Sequence, residues 1–315
     1  MDSFPKNFRL WICLILAAFA LRTATAQRNI PDDNLAYPVL ITLGNGSFGS
    51  GFFLDTSDCV YLVTAKHVLF DAQTQRLIDP HALLRSYSKD LSDQTPNLFS
   101  VDLASLQAAG DVKLHPTQDV VVVKLFDVAA APPQAAPSSQ QVAPAPPQIQ
   151  TGSAQSLTVS RTVHSRPGVQ ILSIAASGIA GADPKIVKRF DQVLVGNEAM
   201  VFGYPNSLGL QQLPQLDPNR PLLRKGIVAG TNAARKSIIL DCPVYFGNSG
   251  GIVLQIERGA FQTNFYVIGV VDQYVPFVQS AGIQGQTLAI GMQLETNSGY
   301  SVVVPMDFVM ELVDR

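Results

Sequence analysis

Apolar and polar positions alternate along this chain in short runs broken by turn signals. Leu40-Ile41-Thr42-Leu43 is a β-rich run, followed by the turn signal Gly44-Asn45-Gly46. Gly51-Phe52-Phe53-Leu54 and Val60-Tyr61-Leu62-Val63 flank Asp55-Thr56-Ser57-Asp58, which reads as a hairpin loop. Val120 to Val123 is continuous and apolar, as suits a strand buried on both faces. Further runs follow at 169–172, 193–195, 200–202, 227–228, 238–240, 252–254, 266–268 and 302–304, with Gly196-Asn197 turning the second into the third. Many short strands bounded by turns predict barrels or sandwiches. Only the end reads as helix. Pro305 suits a first helical position, and Met306, Val309, Met310 and Val313 share one face at i, i+3, i+4 and i+7.

Two segments break the pattern. Residues 1–26 carry Lys6 and Arg9, an apolar run from Leu10 to Leu21, and the small-residue site Ala24-Thr25-Ala26. This predicts a secretory signal cleaved before Gln27, hence a secreted or periplasmic protein. The run is shorter than the ~20 residues that span a bilayer, and no later segment is a membrane candidate. The second break is at 129–147, with seven Ala, six Pro and no charge, which reads as a linker or long loop. The expected organisation is therefore a signal at 1–26, a first β-barrel at 27–127, a linker at 128–160, and a second barrel with its helix at 161–315. The 22 basic and 24 acidic side chains give a formal charge of −2 and no basic footprint for nucleic acid. Outside the signal the cysteines are Cys59 and Cys242. Cys59 opens the strand that ends near residue 67 and Cys242 precedes Ser249 by seven residues, so the two are expected to lie too far apart to bridge.

The candidate chemistry lies in three places. Gly247-Asn248-Ser249-Gly250-Gly251 sets one hydroxyl in a glycine-rich turn whose backbone N–H groups can converge on an oxyanion. Thr64-Ala65-Lys66-His67 closes an apolar strand, and Asp119 opens the Val120–Val123 run. A serine hydroxyl needs a base within hydrogen-bond reach, and that base needs an orienting partner. His67 is the candidate base, Asp119 the orienter, Ser249 the nucleophile, and the N–H groups of Gly247 and Ser249 the oxyanion donors. His81, His115 and His164 lack comparable flanks and read as structural or exposed. No Cys/His cluster has zinc spacing and no glycine loop precedes a Lys-Ser/Thr pair, so neither metal nor cofactor is implied.

At these residues, over about 38–313, the chain resembles the trypsin-like serine peptidases, most nearly the bacterial high-temperature-requirement type. Gly49-Ser50-Gly51-Phe52 is similar to the family's strand before its histidine. Phe202-Gly203-Tyr204-Pro205 resembles the start of its second barrel, and Gly226-Ile227-Val228, Ile268-Gly269-Val270-Val271 and Val304-Pro305 resemble the strands around its serine. The resemblance implies an all-β fold of two six-stranded antiparallel β-barrels, chymotrypsin-like, with a C-terminal helix. The site would lie in the cleft, with His67 and Asp119 from the first barrel and Ser249 from the second. It implies a polypeptide substrate bound near Pro243, Phe246, Val271, Asp272, Gln273 and Tyr274, extended along 270–274 by β-addition.

The departures are also informative. No PDZ module of the family's kind is expected after the terminal helix. Asn248 replaces the aspartate that digestive enzymes pair with a new N-terminus, and Pro243 stands where trypsin-type pockets carry an aspartate, so no preference for Lys or Arg is expected. Asp272 stands where relatives carry a serine bonded to the triad aspartate. A carboxylate there would repel Asp119 unless protonated or turned away, and the preferred reading has Asp272 facing solvent. Tyr274 is expected to narrow the pocket. A binding protein that holds a partner in the cleft without cutting it, and an esterase, are the alternatives.

Overall fold

The computed structural model describes residues 30–129, 163–205, 213–260, 262–281 and 292–314. The expected signal at 1–26 and nearly all of the expected linker lie outside them. By contacts the chain divides into 1–31 and 32–315, and the second unit carries everything below. Among the described residues no helix is long and apolar enough to cross a membrane.

The first sheet holds β1 (Pro38–Leu43), β2 (Phe48–Asp55), β3 (Cys59–Thr64), β4 (His81–Ser86), β5 (Asn97–Asp102), β6 (Val112–Leu114), β7 (Val121–Val128), β8 (Val163–Ser165) and β9 (Val169–Ser173). Their order is β6-β7-β3-β2-β1-β4-β5-β9, with β8 paired to β7. β2, β3 and the start of β7 are buried on both faces, as their unbroken apolar runs predict. Phe53, Phe99 and Phe126 meet edge to face at 6.0 and 5.4 Å in the core beneath.

The second sheet is a closed barrel in the order β10-β11-β12-β15-β14-β13. Its strands are β10 (Glu198–Gly203), β11 (Leu222–Asn232), β12 (Ser237–Asp241), β13 (Ile252–Arg258), β14 (Thr263–Ala281) and β15 (Met292–Pro305). Closure removes the edges that an open sheet would expose. The helix Met306–Val313 follows, burying Met306, Phe308, Val309, Met310 and Leu312. It ties back to the first sheet: Lys113 Nζ donates to Leu312 O at 3.3 Å, and the Phe308 ring meets His115 at 4.9 Å.

The all-β class, the double-barrel chymotrypsin-like architecture and the terminal helix are as the sequence predicts. Three details differ. The first curled sheet holds nine strands, where six were expected. β8 and β9 pair with β7 and β5, so the first sheet extends past residue 161 to Ser173. The change of composition at the Pro-rich segment therefore marks a connection between strands of one sheet. Finally, 193–195 is not a strand: the Leu194 N–H is taken by Gln255 Oε1 at 2.8 Å and the Gly196 N–H by Val228 O at 2.8 Å, so the segment turns onto its neighbours. Cys59 and Cys242 are free and buried, and Cys242 packs into the second barrel's core.

Candidate active site

The strand β3 ends at Thr64, and the chain turns at Ala65 into a short helix, Lys66–Leu69. Val68 and Leu69 are buried, which leaves His67 on the open face. Asp119 lies in the loop between β6 and β7, and His115 shapes that loop. His115 is buried, its Nδ1 accepts the N–H groups of Thr117 (3.3 Å) and Gln118 (3.0 Å), and its own N–H donates to Val120 O at 3.0 Å. Lys66 Nζ donates to His115 O at 3.1 Å, which links the helix of His67 to the loop of Asp119. Asp119 Oδ1 accepts the main-chain N–H of His67 at 3.0 Å, and Asp119 Oδ2 is hydrogen-bonded to His67 Nδ1. This fixes the ring and leaves Nε2 as the nitrogen available for proton transfer.

The electrostatics follow from this pairing. Burial alone would lower the His67 pKa, but the hydrogen bond and charge of Asp119, with a smaller share from Asp272, raise it above the ordinary imidazole value. Burial alone would raise Asp119, but its bonds to His67 hold it below the usual carboxylate range.

The serine turn is built from the other barrel and seated on this segment. Asn248 N–H donates to Tyr245 O (2.9 Å), Gly251 N–H to Asn248 O (2.9 Å), and Tyr245 N–H to Asn248 Oδ1 (3.0 Å). Gly247 and Gly250 have φ of 91° and 83°, which a side chain would resist. At Gly250 a Cβ would also lie 2.1 Å from Ser50 O, 2.2 Å from Thr64 Oγ1 and 2.9 Å from Ala65 N. The turn is thus pressed against the residues that lead into His67. Among the described residues the N–H groups of Gly247 and Ser249 donate to no backbone acceptor. The Ser249 hydroxyl donates to Asp272 O at 3.3 Å and not to His67.

Sequence reasoning missed the residue that holds this junction. Ser50 is fully buried. Its hydroxyl donates to Gly247 O (2.6 Å) and accepts from Tyr204 N–H (2.9 Å); its N–H donates to Ser249 O (2.9 Å), and its C=O accepts from Thr64 Oγ1 (2.7 Å). The available signal was a lone serine between Gly49 and Gly51 in an apolar strand, where a polar group must be satisfied internally.

The remaining expected site residues divide. Asp272 does not face solvent. One ligating atom from each of His67, Asp119 and Asp272 lies within 4.8 Å of the others, so its side chain joins the cluster. The β-bulge between Val271 and Gln273 turns this residue inward, where repulsion from Asp119 was expected to keep it in solvent. His67 Nδ1 and Asp119 are bonded to each other, so the three form a hydrogen-bonded cluster. The Val271 side chain is buried in the second core, although its main chain pairs with the turn through Gly250 N–H and Gly251 O. Pro243 is half-buried and Gln273 exposed. Phe246 is 72% exposed and meets Tyr274 edge to face at 6.1 Å, while the Tyr274 hydroxyl donates to Glu295 Oε1 at 2.8 Å.

No protein-family model matches the chain, and no curated protein matches it. Among solved structures it is similar to the HtrA-type protease AlgW with tripeptide, at 13% identity and a TM-score of 0.41, with 89% of this chain and 59% of that chain covered. It is also similar to Deg5, at 14% identity and a TM-score of 0.44, covering 98% and 95%. A third is the thermostable serine protease AL20 from an extremophilic microorganism, at 8% and 0.44, covering 90% and 96%. The chain spans about three fifths of the length of the AlgW structures it matches.

Proposed function

We propose that the protein is a serine endopeptidase acting on extended polypeptides. Ser249 Oγ attacks the scissile carbonyl carbon while His67 Nε2 takes its proton. The tetrahedral oxyanion is held by the N–H groups of Gly247 and Ser249. Collapse breaks the C–N bond, His67 returns the proton to the leaving amine, and water, activated by the same imidazole, releases the acyl group from Ser249. Asp119 keeps His67 in the tautomer that presents Nε2. What carries this reading is the seating of the Ser249 turn on Ser50, Thr64 and Ala65, two residues before a histidine already bonded to a carboxylate.

β14 supports the substrate class. β13 pairs with it only as far as Val270, so beyond Val271 one edge carries no strand partner among the described residues and can accept an extended peptide by β-addition. Residues 1–26, read as a secretory signal, support a secreted or periplasmic enzyme, and the Pro-rich composition of 129–147 supports a spacer. No cofactor takes part.

A second reading has one observation in its favour. The Ser249 hydroxyl is bonded to Asp272 O, an arrangement in which its proton is not directed to a base. A fluorophosphonate probe separates the two. Labelling of the wild type and not of Ser249→Ala supports the enzyme. Tight peptide capture with no labelling of either supports the binding protein.

A further inference from the structure

Asp272 stands where β14 carries one residue too many. Val271 pairs with Val303 and Gln273 with Val302, so Asp272 is the extra residue of a bulge. A bulge bends its strand and re-aims a side chain. Here the main chain turns its C=O to the Ser249 hydroxyl, and the carboxyl turns to Asp119 and His67. Two carboxylates this close resist ionising together, so one of the pair holds its proton to higher pH. Asp119 already accepts two hydrogen bonds from His67, which favour its charged form. Of the two, Asp272 is therefore the carboxyl that keeps the proton longer as pH rises.

Resting on the assignment of Ser249, His67 and Asp119 above, we propose that Asp272 is a positioning residue that works as a neutral acid. Its carboxyl donates a hydrogen bond to Asp119, holds that carboxylate against His67 Nδ1, and disables the base when its own proton is lost. Burial, reinforced by the charge of Asp119 and opposed by His67, pushes the Asp272 carboxyl up to about 7, within the working range of an imidazole base.

The consequence is a matter of where one proton resides. With Asp272 neutral, His67 can be neutral too, and Nε2 is free to take the serine proton. The state with that proton moved from Asp272 to His67 has the same net charge but no base, so the two compete in one coupled titration. When both have lost their protons, Asp272 repels Asp119 and the tautomer of His67 is no longer held. Activity is then confined to a window of pH. The charged groups facing Asp272 are His67, on the helix after β3, and Asp119, from the β6–β7 loop. The paired residues of β15 are Val302 and Val303, and the serine turn offers a neutral hydroxyl.

The test is the pH profile of kcat/KM, with fluorophosphonate labelling at each pH, for wild type, Asp272→Asn and Asp272→Ser. Both variants can donate to Asp119 without titrating. Wild type is expected to lose about tenfold per pH unit above the titration of Asp272. The variants are expected to keep an alkaline plateau, because no second carboxyl beside Asp119 loses a proton there. The same falling limb in all three proteins overturns the proposal while leaving Ser249 as nucleophile. A wild type that never labels overturns the Ser249 assignment and this proposal with it. Should the variants not fold, carboxyl 13C NMR of the wild type decides: an aspartate titrating near neutrality together with the His67 ring is expected, and every aspartate titrating in the ordinary range overturns the proposal.

Discussion

Ser50→Ala removes one buried oxygen that serves two main-chain groups. Gly247 O loses a donor at 2.6 Å and Tyr204 N–H loses an acceptor at 2.9 Å. Both residues are buried, so neither group regains water freely. At about 1–3 kcal/mol for each buried group left unsatisfied, the substitution should cost roughly 2–6 kcal/mol of stability. The loss should also reach the chemistry. The peptide between Gly247 and Asn248 is pinned at its C=O by Ser50 and at its N–H by Tyr245 O. Freeing one end lets the neighbouring Gly247 N–H drift from the oxyanion. Deleting an oxyanion donor outright costs about 10²–10³ in kcat, so a loosened one should cost about 10–10² with KM little changed. Denaturant unfolding gives the first number, and steady-state kinetics far below the unfolding midpoint gives the second. A variant that is as stable as wild type and has unchanged kcat would refute this account of the junction.

Asp119→Asn should keep the fold and lower kcat by about 10⁴, because an amide holds the wrong imidazole tautomer; a loss under tenfold would argue against Asp119 as orienter. Gly250→Ala should abolish labelling of Ser249 even in folded protein, since its Cβ meets main-chain atoms of Ser50 and Ala65 that cannot step aside; an intact, labelled variant would show that the turn is not seated there. Phe308→Ala should cost about 3–5 kcal/mol in thermal or chemical unfolding, the range for a buried aromatic. The raised pKa of His67 stabilises the fold fully below its ordinary titration and is lost as pH rises through the raised value. The stability gap between wild type and His67→Gln should therefore narrow from acid to mildly alkaline pH, and a gap that widens would reverse the assigned coupling.

The sequence pattern made the apolar strands legible, because a strand buried on both faces shows as an unbroken run: 60–63 and 120–123 fall in β3 and at the start of β7. β4 and β5 escaped notice because they alternate buried with half-buried positions, and Arg85, Ser86, Asn97 and Ser100 dilute the signal. Strand order is a property of long-range pairing, so no local run could tell the nine-stranded sheet from the six-stranded one. The three candidate catalytic residues were legible because each has a flank that serves it: glycines around Ser249, a strand end before His67, a valine run after Asp119. Ser50 was hidden because its work is done through main-chain atoms, and Asp272 because a single extra residue in β14 reverses which way a side chain points.

The central claim is that Ser249, served by His67 and Asp119, cuts peptide bonds. The most direct measurement is mass-spectrometric mapping of new chain ends in a denatured protein mixture incubated with the wild type or with Ser249→Ala. New termini that appear with the wild type and vanish with the variant are predicted. An identical set of termini with both proteins, or none with either, contradicts the claim.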